Sequence, residues 1–354
     1  MDTPEFELLL ACCRCSYAPG AVEEVHRWSA HVDWPVFLRL ARRHRVQSLV
    51  AQAFYKAELV APQSIAAEIA KDAATIAETN LRSAAESIRL LDRFGKQSIP
   101  LLFVKGLTLS ALAYGDPFAK MSADIDILVG PDDVEGGVGI IRSLGYEPSS
   151  PPPPQDVPAW HMRNRESIWF SAETDLVVEL HTRLSDHPAL IPGIGMSSPR
   201  QELQVGPGRF LPTLNTRDLA VYLCVHGASS AWFRLKWIVD FAALIEASGG
   251  DIEVFYSDAV RRGAGRAPAQ ALLLADRLSL LRMPQSLRRE LEADRASRLL
   301  ANIALRQLLS VQEPTDRRFG TASIHLSQPL LLRGWRFKLS ELARQAVDIF
   351  ERKL

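Results

Sequence analysis

Residues 99–129 constrain the fold of this chain more than any other stretch, because they predict two strands of one sheet. The first apolar run, Ile99 to Val104, has the length of a buried strand and stops abruptly at Lys105-Gly106. A short helix is predicted next, followed by a second apolar run from Ile125 to Val129. Strands that alternate with helices in this way predict an α/β fold built on a small sheet.

Two acids, Asp124 and Asp126, stand at alternate positions where the second strand begins. Side chains two residues apart on a strand point to the same side, so both carboxylates are expected at one mouth of the sheet. Like charges that lie this close cannot both stay ionised without a cation between them. The spacing therefore predicts a divalent metal site.

A hairpin is predicted from residues 167–171 and 175–181, and its second strand carries another acid. Glu179 and His181 share one direction on that strand, while Leu180 between them points the other way. Glu179 is expected to face the two aspartates, with a solvent-exposed position as the alternative. His181 is expected to orient a carboxylate or touch substrate, or else to be a structural imidazole, and His226 is expected in the core.

Taken in order, these motifs resemble the nucleotidyltransferase superfamily, and most of all its group of uncharacterised nucleotidyltransferases. The resemblance covers roughly residues 75–245 and is carried by five short motifs: Lys105-Gly106, Asp124-Ile125-Asp126, Gly145-Tyr146, Glu179-Leu180-His181, and His226 with Arg234-Leu235 and Trp237. The chain departs from the usual pattern at two points. Leu107 follows Gly106 where Ser or Gly is usual, which leaves Thr108 as the nearest hydroxyl, and Lys120 stands in place of an Arg before the acids.

The resemblance implies a nucleotidyltransferase core: a small mixed sheet with flanking helices. It implies that Asp124, Asp126 and Glu179 form a three-carboxylate set that is catalytic and binds Mg²⁺ or Mn²⁺. A further set is implied to bind the nucleotide: Lys105, Gly106, Thr108, Lys120, Ser122, Arg234 and Lys236. Two of these have plain structural alternatives, since Lys105 could extend from the sheet edge and Lys236 could pair with Asp240 one helical turn later.

The implied reaction transfers a nucleoside monophosphate from an NTP to an acceptor hydroxyl and releases pyrophosphate. The acceptor is left open among a small molecule, a peptide, a protein and tRNA. Two other functions remain as alternatives at this stage. The same pocket could serve a phosphotransferase, or the protein could be a catalytically degenerate nucleotide-binding or scaffold protein.

Three regions are expected along the chain: an N-terminal helical cap over residues 1–97, a catalytic core over 98–211 and a C-terminal helical region over 212–354. Within them we expect one continuous helix over residues 34–58. Residues 199–211 are expected to be irregular apart from a short final strand, and Thr216 is expected to cap the next helix.

Composition narrows the class of protein further. Lys plus Arg and Asp plus Glu number 41 each, so the chain lacks the basic footprint of a dedicated nucleic-acid binder. The start of the chain is acidic rather than basic, and no apolar run is long enough to span a bilayer, so we expect a cytoplasmic protein without membrane contact. Four cysteines are present, and no disulfide is expected among them in a reducing compartment: Cys12, Cys13, Cys15 and Cys224.

Overall fold

The computed structural model describes residues 3–18, 20–316 and 320–351. The N-terminal part is helical, as the sequence predicts, and its five helices are α1 (Pro4–Arg14), α2 (Ala21–Ser29), α3 (Trp34–His44), α4 (Gln47–Lys56) and α5 (Gln63–Lys96). The helix expected over residues 34–58 is in fact two helices. Arg45 adopts a left-handed conformation (φ 56°) that ends α3, because helix geometry cannot continue through such a residue.

A five-stranded mixed sheet follows, in the spatial order β1-β2-β5-β4-β3. Its strands are β1 (Leu101–Phe103), β2 (Asp124–Val129), β3 (Glu147–Ser150), β4 (Glu166–Ser171) and β5 (Leu176–His181). Only β2 and β5 run parallel, and the other neighbours are antiparallel. Three helices connect these strands: α6 (Leu107–Tyr114), α7 (Val134–Ser143) and α8 (Val157–His161). The expected α/β fold with a small mixed sheet is confirmed.

Residues 199–211 are more regular than expected. They belong to a separate two-stranded hairpin made of β6 (Arg200–Gly206) and β7 (Arg209–Leu214). The prediction of an irregular segment was therefore wrong for β6, whereas a strand does begin at the end of the segment, as expected. Gly208 lies in the left-handed region at φ 64° in the tight turn between the strands, a conformation that glycine adopts without strain.

The rest of the described chain is helical apart from short connections. The helices are α9 (Thr216–Ser229), α10 (Leu235–Ala247), α11 (Ile252–Arg261), α12 (Ala267–Arg277), α13 (Gln285–Ala293), α14 (Arg295–Leu309), α15 (Ala322–Ser327) and α16 (Trp335–Glu351). The cap of α9 is Asn215 rather than Thr216, because the Asn215 side chain accepts a hydrogen bond from the backbone N–H of Asp218.

The sheet separates two hydrophobic cores. On one face, residues of β2 and β5 such as Ile127 and Leu180 pack with Phe94 of α5 and Ile141 of α7. On the other face, Leu128 belongs to a larger core that unites α1, α3 and α4 with α9, α10, α12 and α14. The helices at the two ends of the chain thus share one core, and the face of the sheet that carries Asp126 is turned toward them.

The division into three regions stays a prediction, since the shared core does not by itself define domain boundaries. None of the helices in the described parts of the chain is long and apolar enough to cross a membrane. All four cysteines are free thiols and are buried.

Candidate active site

The site is built on the one parallel pair of strands. The register of β2 against β5 places Asp126 beside Glu179 and Asp124 beside Val177. Residues in register on neighbouring strands project from the same face, so Asp126 and Glu179 meet directly. Asp124 lies two residues, or about 6.6 Å, further along its strand. A carboxylate oxygen of Asp126, one of Glu179 and an imidazole nitrogen of His181 all lie within 4.8 Å of one another.

His181 lies beneath the two carboxylates and is fully buried. Its Nε2 is 3.1 Å from Asp126 Oδ1 and 3.4 Å from Glu179 Oε2. Its Nδ1 lies 3.3 Å from Glu166 Oε2, in an ion-pair contact rather than an aligned hydrogen bond. Glu166 comes from β4, where it is in register with His181. The imidazole therefore stands between three carboxylates on one face of the sheet.

Lys105 brings a second cation to the same carboxylates. Its Nζ lies 2.5 Å from Asp126 Oδ1 and 4.0 Å from Glu179 Oε2. The position follows from the fold, because β1 runs antiparallel to β2 and ends beside the start of β2. Lys105 thus does not extend into solvent, because its ammonium pairs with the buried Asp126. Its contact with a phosphate stays a prediction.

The ionisation of these groups reflects burial and mutual charge. Burial favours the neutral form of Asp126, but Lys105 and His181 outweigh it and hold the pKa of Asp126 well below its usual range. Burial, together with the charge of Asp126, raises the pKa of Glu179. Burial alone would lower the pKa of His181, but hydrogen bonds to Asp126 and Glu179 raise it to about 9. The negative charge of the Asp126 carboxylate is therefore balanced by the positive charges of Lys105 and His181.

The turn after β1 forms the wall next to these groups. Gly106 adopts φ 63°, and a Cβ at this position would lie 2.6 Å from the Ser122 hydroxyl oxygen, so only glycine fits without a shift. Helix α6 begins at Leu107 without a side-chain cap, which leaves its first N–H groups available to an anion. Thr108 donates its hydroxyl to the carbonyls of Phe103 and Lys105, and so it braces the turn.

A small cleft joins this turn to the acids, and it is lined by Lys105, Gly106, Thr108, Ser122, Asp124 and Asp126. Six residues that the sequence predicts for the site are therefore brought together. Lys236 of α10 approaches from the helical side. It forms no ion pair within the residues that the structure describes, and Asp124 is the acid whose charge acts on it most. Burial lowers the pKa of Lys236 to about 8.

Two other residues predicted to bind the nucleotide, Lys120 and Arg234, pair with residues that do not line this cleft. The Lys120 ammonium pairs with Asp240 at 3.0 Å, and Asp240 also accepts a hydrogen bond from Tyr114. Asp240 thus forms its ion pair with Lys120 rather than with Lys236. Arg234 donates to the backbone carbonyl of Arg43 at 2.9 Å and pairs with Glu313 at 3.1 Å. Contact of these two cations with a nucleotide stays a prediction.

The loop that precedes Asp124 is held by a residue that the sequence did not single out. Asn80, fully buried on α5, donates to the carbonyls of Phe118 and Lys120 and accepts from the N–H of Ser122. Ser83, one turn later, donates to the Ser122 carbonyl. An Asn at mid-helix, where its helix propensity is poor, was the available signal.

Glu166 and Tyr222 were also missed. Glu166 opens β4 on the site face, and its signal was the alternation that places it opposite His181. Tyr222, which matches the apolar stripe of α9, is fully buried, and its hydroxyl has no hydrogen-bond partner among the described residues. His226 follows one turn later and packs edge-on against Trp237, with ring centroids 5.4 Å apart. Burial and the nearby Lys105 charge hold the pKa of His226 well below its usual range.

A small mixed sheet, a glycine turn and paired acids on adjacent strands define a nucleotidyltransferase-like α/β protein. The family model described as Uncharacterised nucleotidyltransferase matches residues 30–279, and the chain belongs to this family. The predicted resemblance is thereby confirmed, and the chain is assigned to the transferases. No curated protein matches the sequence. Nucleotidyltransferases generally use divalent metal ions, and the Asp126, Glu179 and His181 cluster offers ligands of suitable chemistry.

Proposed function

We propose that the protein transfers a nucleoside monophosphate from an NTP to the hydroxyl of an acceptor, with release of pyrophosphate, and that the reaction depends on Mg²⁺ or Mn²⁺. The observation that carries the proposal is the meeting of Asp126 and Glu179 on parallel strands, beside the Gly106 turn. This chemistry requires carboxylates that bind a metal ion and backbone N–H groups that bind phosphate.

Asp124, Asp126 and Glu179 are the proposed catalytic and metal-binding carboxylates. A bound divalent ion supplies charge neutralisation at the phosphoryl oxygens and lowers the pKa of an attacking hydroxyl. Asp126 and Glu179 hold one face of that site. Glu179 is also the proposed base, since burial and Asp126 raise its pKa toward the range in which a carboxylate accepts a proton effectively.

The triphosphate is proposed to bind against the Gly106 turn. The start of α6, which has no side-chain cap, and Ser122 both line this cleft. Lys105 leaves Asp126 and moves to the phosphates, and Lys236 approaches them from α10. Both carry positive charge to the side where pyrophosphate departs, and such fixed charge stabilises a developing anion. Thr108 contributes by bracing the turn, while Lys120 and Arg234 fix the surrounding helices.

A cytoplasmic location is part of the proposal. The four free thiols suit a reducing compartment, where disulfides are rare. The acceptor remains within the classes named above: a small molecule, a peptide, a protein or tRNA. The neutral net charge favours an acceptor other than tRNA.

The test is to incubate the purified chain with each α-labelled NTP, Mg²⁺ or Mn²⁺ and members of each acceptor class, and then to measure product mass and pyrophosphate. We expect an acceptor heavier by one nucleoside monophosphate, formed only with metal. Glu179→Gln should lower the rate by several orders of magnitude and leave NTP binding largely intact. An acceptor heavier by a single phosphoryl group would instead identify a phosphotransferase, and NTP binding without any product would identify a degenerate binding protein.

A further inference from the structure

His181 is buried more deeply than a substrate-contacting residue needs to be, and both of its nitrogens face carboxylates. Nε2 points at Asp126 and Glu179, whereas Nδ1 faces Glu166. A histidine that binds a metal characteristically has a carboxylate or carbonyl at its other nitrogen, which fixes the tautomer and the ring orientation. Glu166 stands in that position, in register with His181 on the neighbouring strand.

We infer that His181 is a direct nitrogen ligand of the catalytic metal, together with Asp126 and Glu179, and that Glu166 is the positioning residue that orients its imidazole. The inference rests on the proposed metal-dependent function and deepens it. It replaces a site made only of carboxylates by a mixed one. It also gives the ion a preference, because imidazole binds first-row transition metals better than Mg²⁺, with Mn²⁺ the weakest of that series.

The spacing of the donor atoms fits one ion. Two ligand atoms at right angles around an ion at about 2.1 Å lie about 3 Å apart. Nε2 of His181 is 3.1 Å from Asp126 Oδ1 and 3.4 Å from Glu179 Oε2. Both distances from the imidazole nitrogen to a carboxylate oxygen are therefore already at ligand spacing, and one donor atom of each residue lies within 4.8 Å of the other two. Asp126, Glu179 and His181 would hold the ion after His181 Nε2 had lost its proton to solvent and Lys105 had left Asp126.

Asp124 is not part of this donor set, and the strand register explains why. Its neighbour on β5 is Val177, so no ligand faces it from the parallel strand. Its carboxylate lines the cleft beside Gly106, on the side of the proposed triphosphate. The mixed site thus uses the deeper aspartate, and Asp124 is left for a second ion that arrives with the nucleotide.

The inference is tested on the full-length chain loaded with one equivalent of Mn²⁺, without nucleotide, by pulsed electron paramagnetic resonance. We expect modulation from a directly bound ¹⁴N nucleus, and the ¹⁵N pattern in its place when the protein is made with [¹⁵N]histidine. The labelled protein requires no substitution, so this readout survives even if a variant does not fold.

Three variants assign the nitrogen to one residue. His181→Asn should abolish the nitrogen coupling and lower Mn²⁺ affinity more than Mg²⁺ affinity, as measured by calorimetry. Glu166→Gln should retain the coupling and lower Mn²⁺ affinity about 10- to 100-fold. His187→Asn is the matched control and should change neither, because His187 bonds to Ser340 away from the site.

A wild-type complex without nitrogen coupling would overturn the inference, provided that Asp126→Asn abolishes Mn²⁺ binding and so places the ion at this site. That result would leave nucleotidyl transfer untouched. Nitrogen coupling that persists in His181→Asn would also overturn it. Conversely, a histidine-bound ion in a chain that transfers no nucleotide would uphold this inference and reject the proposed function.

Discussion

At the scale of single residues, Asp126 has two roles, and two different measurements can tell them apart. Its carboxylate is a proposed metal ligand, and in the metal-free protein it is also the counter-ion of Lys105 and His181. Removing one partner of a buried ion pair leaves the other charge buried without a counter-charge. The cost of such a change is about 3–5 kcal/mol.

We therefore expect Asp126→Asn to abolish transfer and also to lower the stability of the metal-free protein by about 3 kcal/mol. Urea denaturation in EDTA, together with a transfer assay, measures both effects. Asp124→Asn is the matched control for stability alone, because Asp124 forms no ion pair within the described residues and is less buried, although it is also a proposed metal ligand. Equal melting of Asp126→Asn and the wild type would show that the pairing adds nothing to stability.

The pKa of His181 predicts a dependence of stability on pH. Hydrogen bonds to Asp126 and Glu179 raise this pKa to about 9, against an ordinary value of 6.5. A raised pKa means that the folded state binds the proton more tightly than the unfolded state. The stabilisation is complete below about pH 6.5, where both states are protonated, and it is lost as the pH rises toward 9.

In EDTA, the melting temperature of the wild type should therefore fall between pH 6.5 and 9 more steeply than that of His181→Asn. The difference between the two proteins isolates His181 from Lys236, whose pKa burial lowers to about 8. A lowered lysine pKa acts in the opposite direction, so stability gained from Lys236 rises with pH above 8. Parallel pH profiles for the two proteins would contradict the assignment.

At the scale of elements, the Gly106 turn lets the chain after β1 pass close to Ser122 in the loop before β2. Gly106→Ala would place a methyl group against Ser122 and a side chain at φ 63°. We expect a loss of stability and a sharp loss of NTP affinity, measured by thermal melting and calorimetry. The double variant with Ser122→Ala should recover only part of the stability, since strain of about 1 kcal/mol remains in the backbone. Full recovery would mean that the contact alone requires glycine.

The alternating direction of strand side chains made the pairing of Asp126 with Glu179 predictable. Asp126 and Glu179 could be expected to face one cleft because strand side chains alternate, and the register then brought them together. Asn80 could not be found in that way. Its role depends on where α5 passes the loop before Asp124, and no periodic pattern encodes that crossing. Lys120 shows the same limit, since its partner Asp240 lies far along the chain.

Helices and strands were predicted well where hydrophobic periodicity was strong. They were predicted poorly where the conformation of one residue sets the end of an element. The hairpin of β4 and β5 lies within one residue of the bounds that its hydrophobic pattern predicts. The break between α3 and α4 depends on a single left-handed residue, Arg45, in a sequence that otherwise favours a helix. Strand β6 was missed because most of its residues are exposed or half exposed, with little apolar alternation to detect.

At the scale of the whole molecule, the first helix belongs to the same core as the helices that follow the sheet. Arg14 donates to the carbonyl of Leu278, and Tyr17 donates to that of Leu280. Leu9 of α1 is fully buried in this core. The N-terminal helices are therefore expected to unfold together with the C-terminal ones rather than as a separate cap.

Leu9→Ala should lower the free energy of unfolding by about 2–5 kcal/mol. Hydrogen exchange of the α12 amides should accelerate by the same free energy, although α12 lies far from Leu9 in sequence. Leu81→Ala, at a position that is 61% exposed, is the matched control and should change little. Faster exchange confined to α1 would show that the N-terminal helices unfold independently.

The contact between Lys105 and Asp126 has a consequence for the order of events. A carboxylate that already has a cation cannot simply capture a metal ion; it must exchange one positive partner for another. The rate of Mn²⁺ loading should then reach a plateau at high Mn²⁺ concentration, set by how often the lysine departs. In Lys105→Met the stopped-flow rate should instead rise in proportion to concentration. A triphosphate would hasten the exchange, because it offers the departing ammonium a new anion, so metal and nucleotide are expected to enter together.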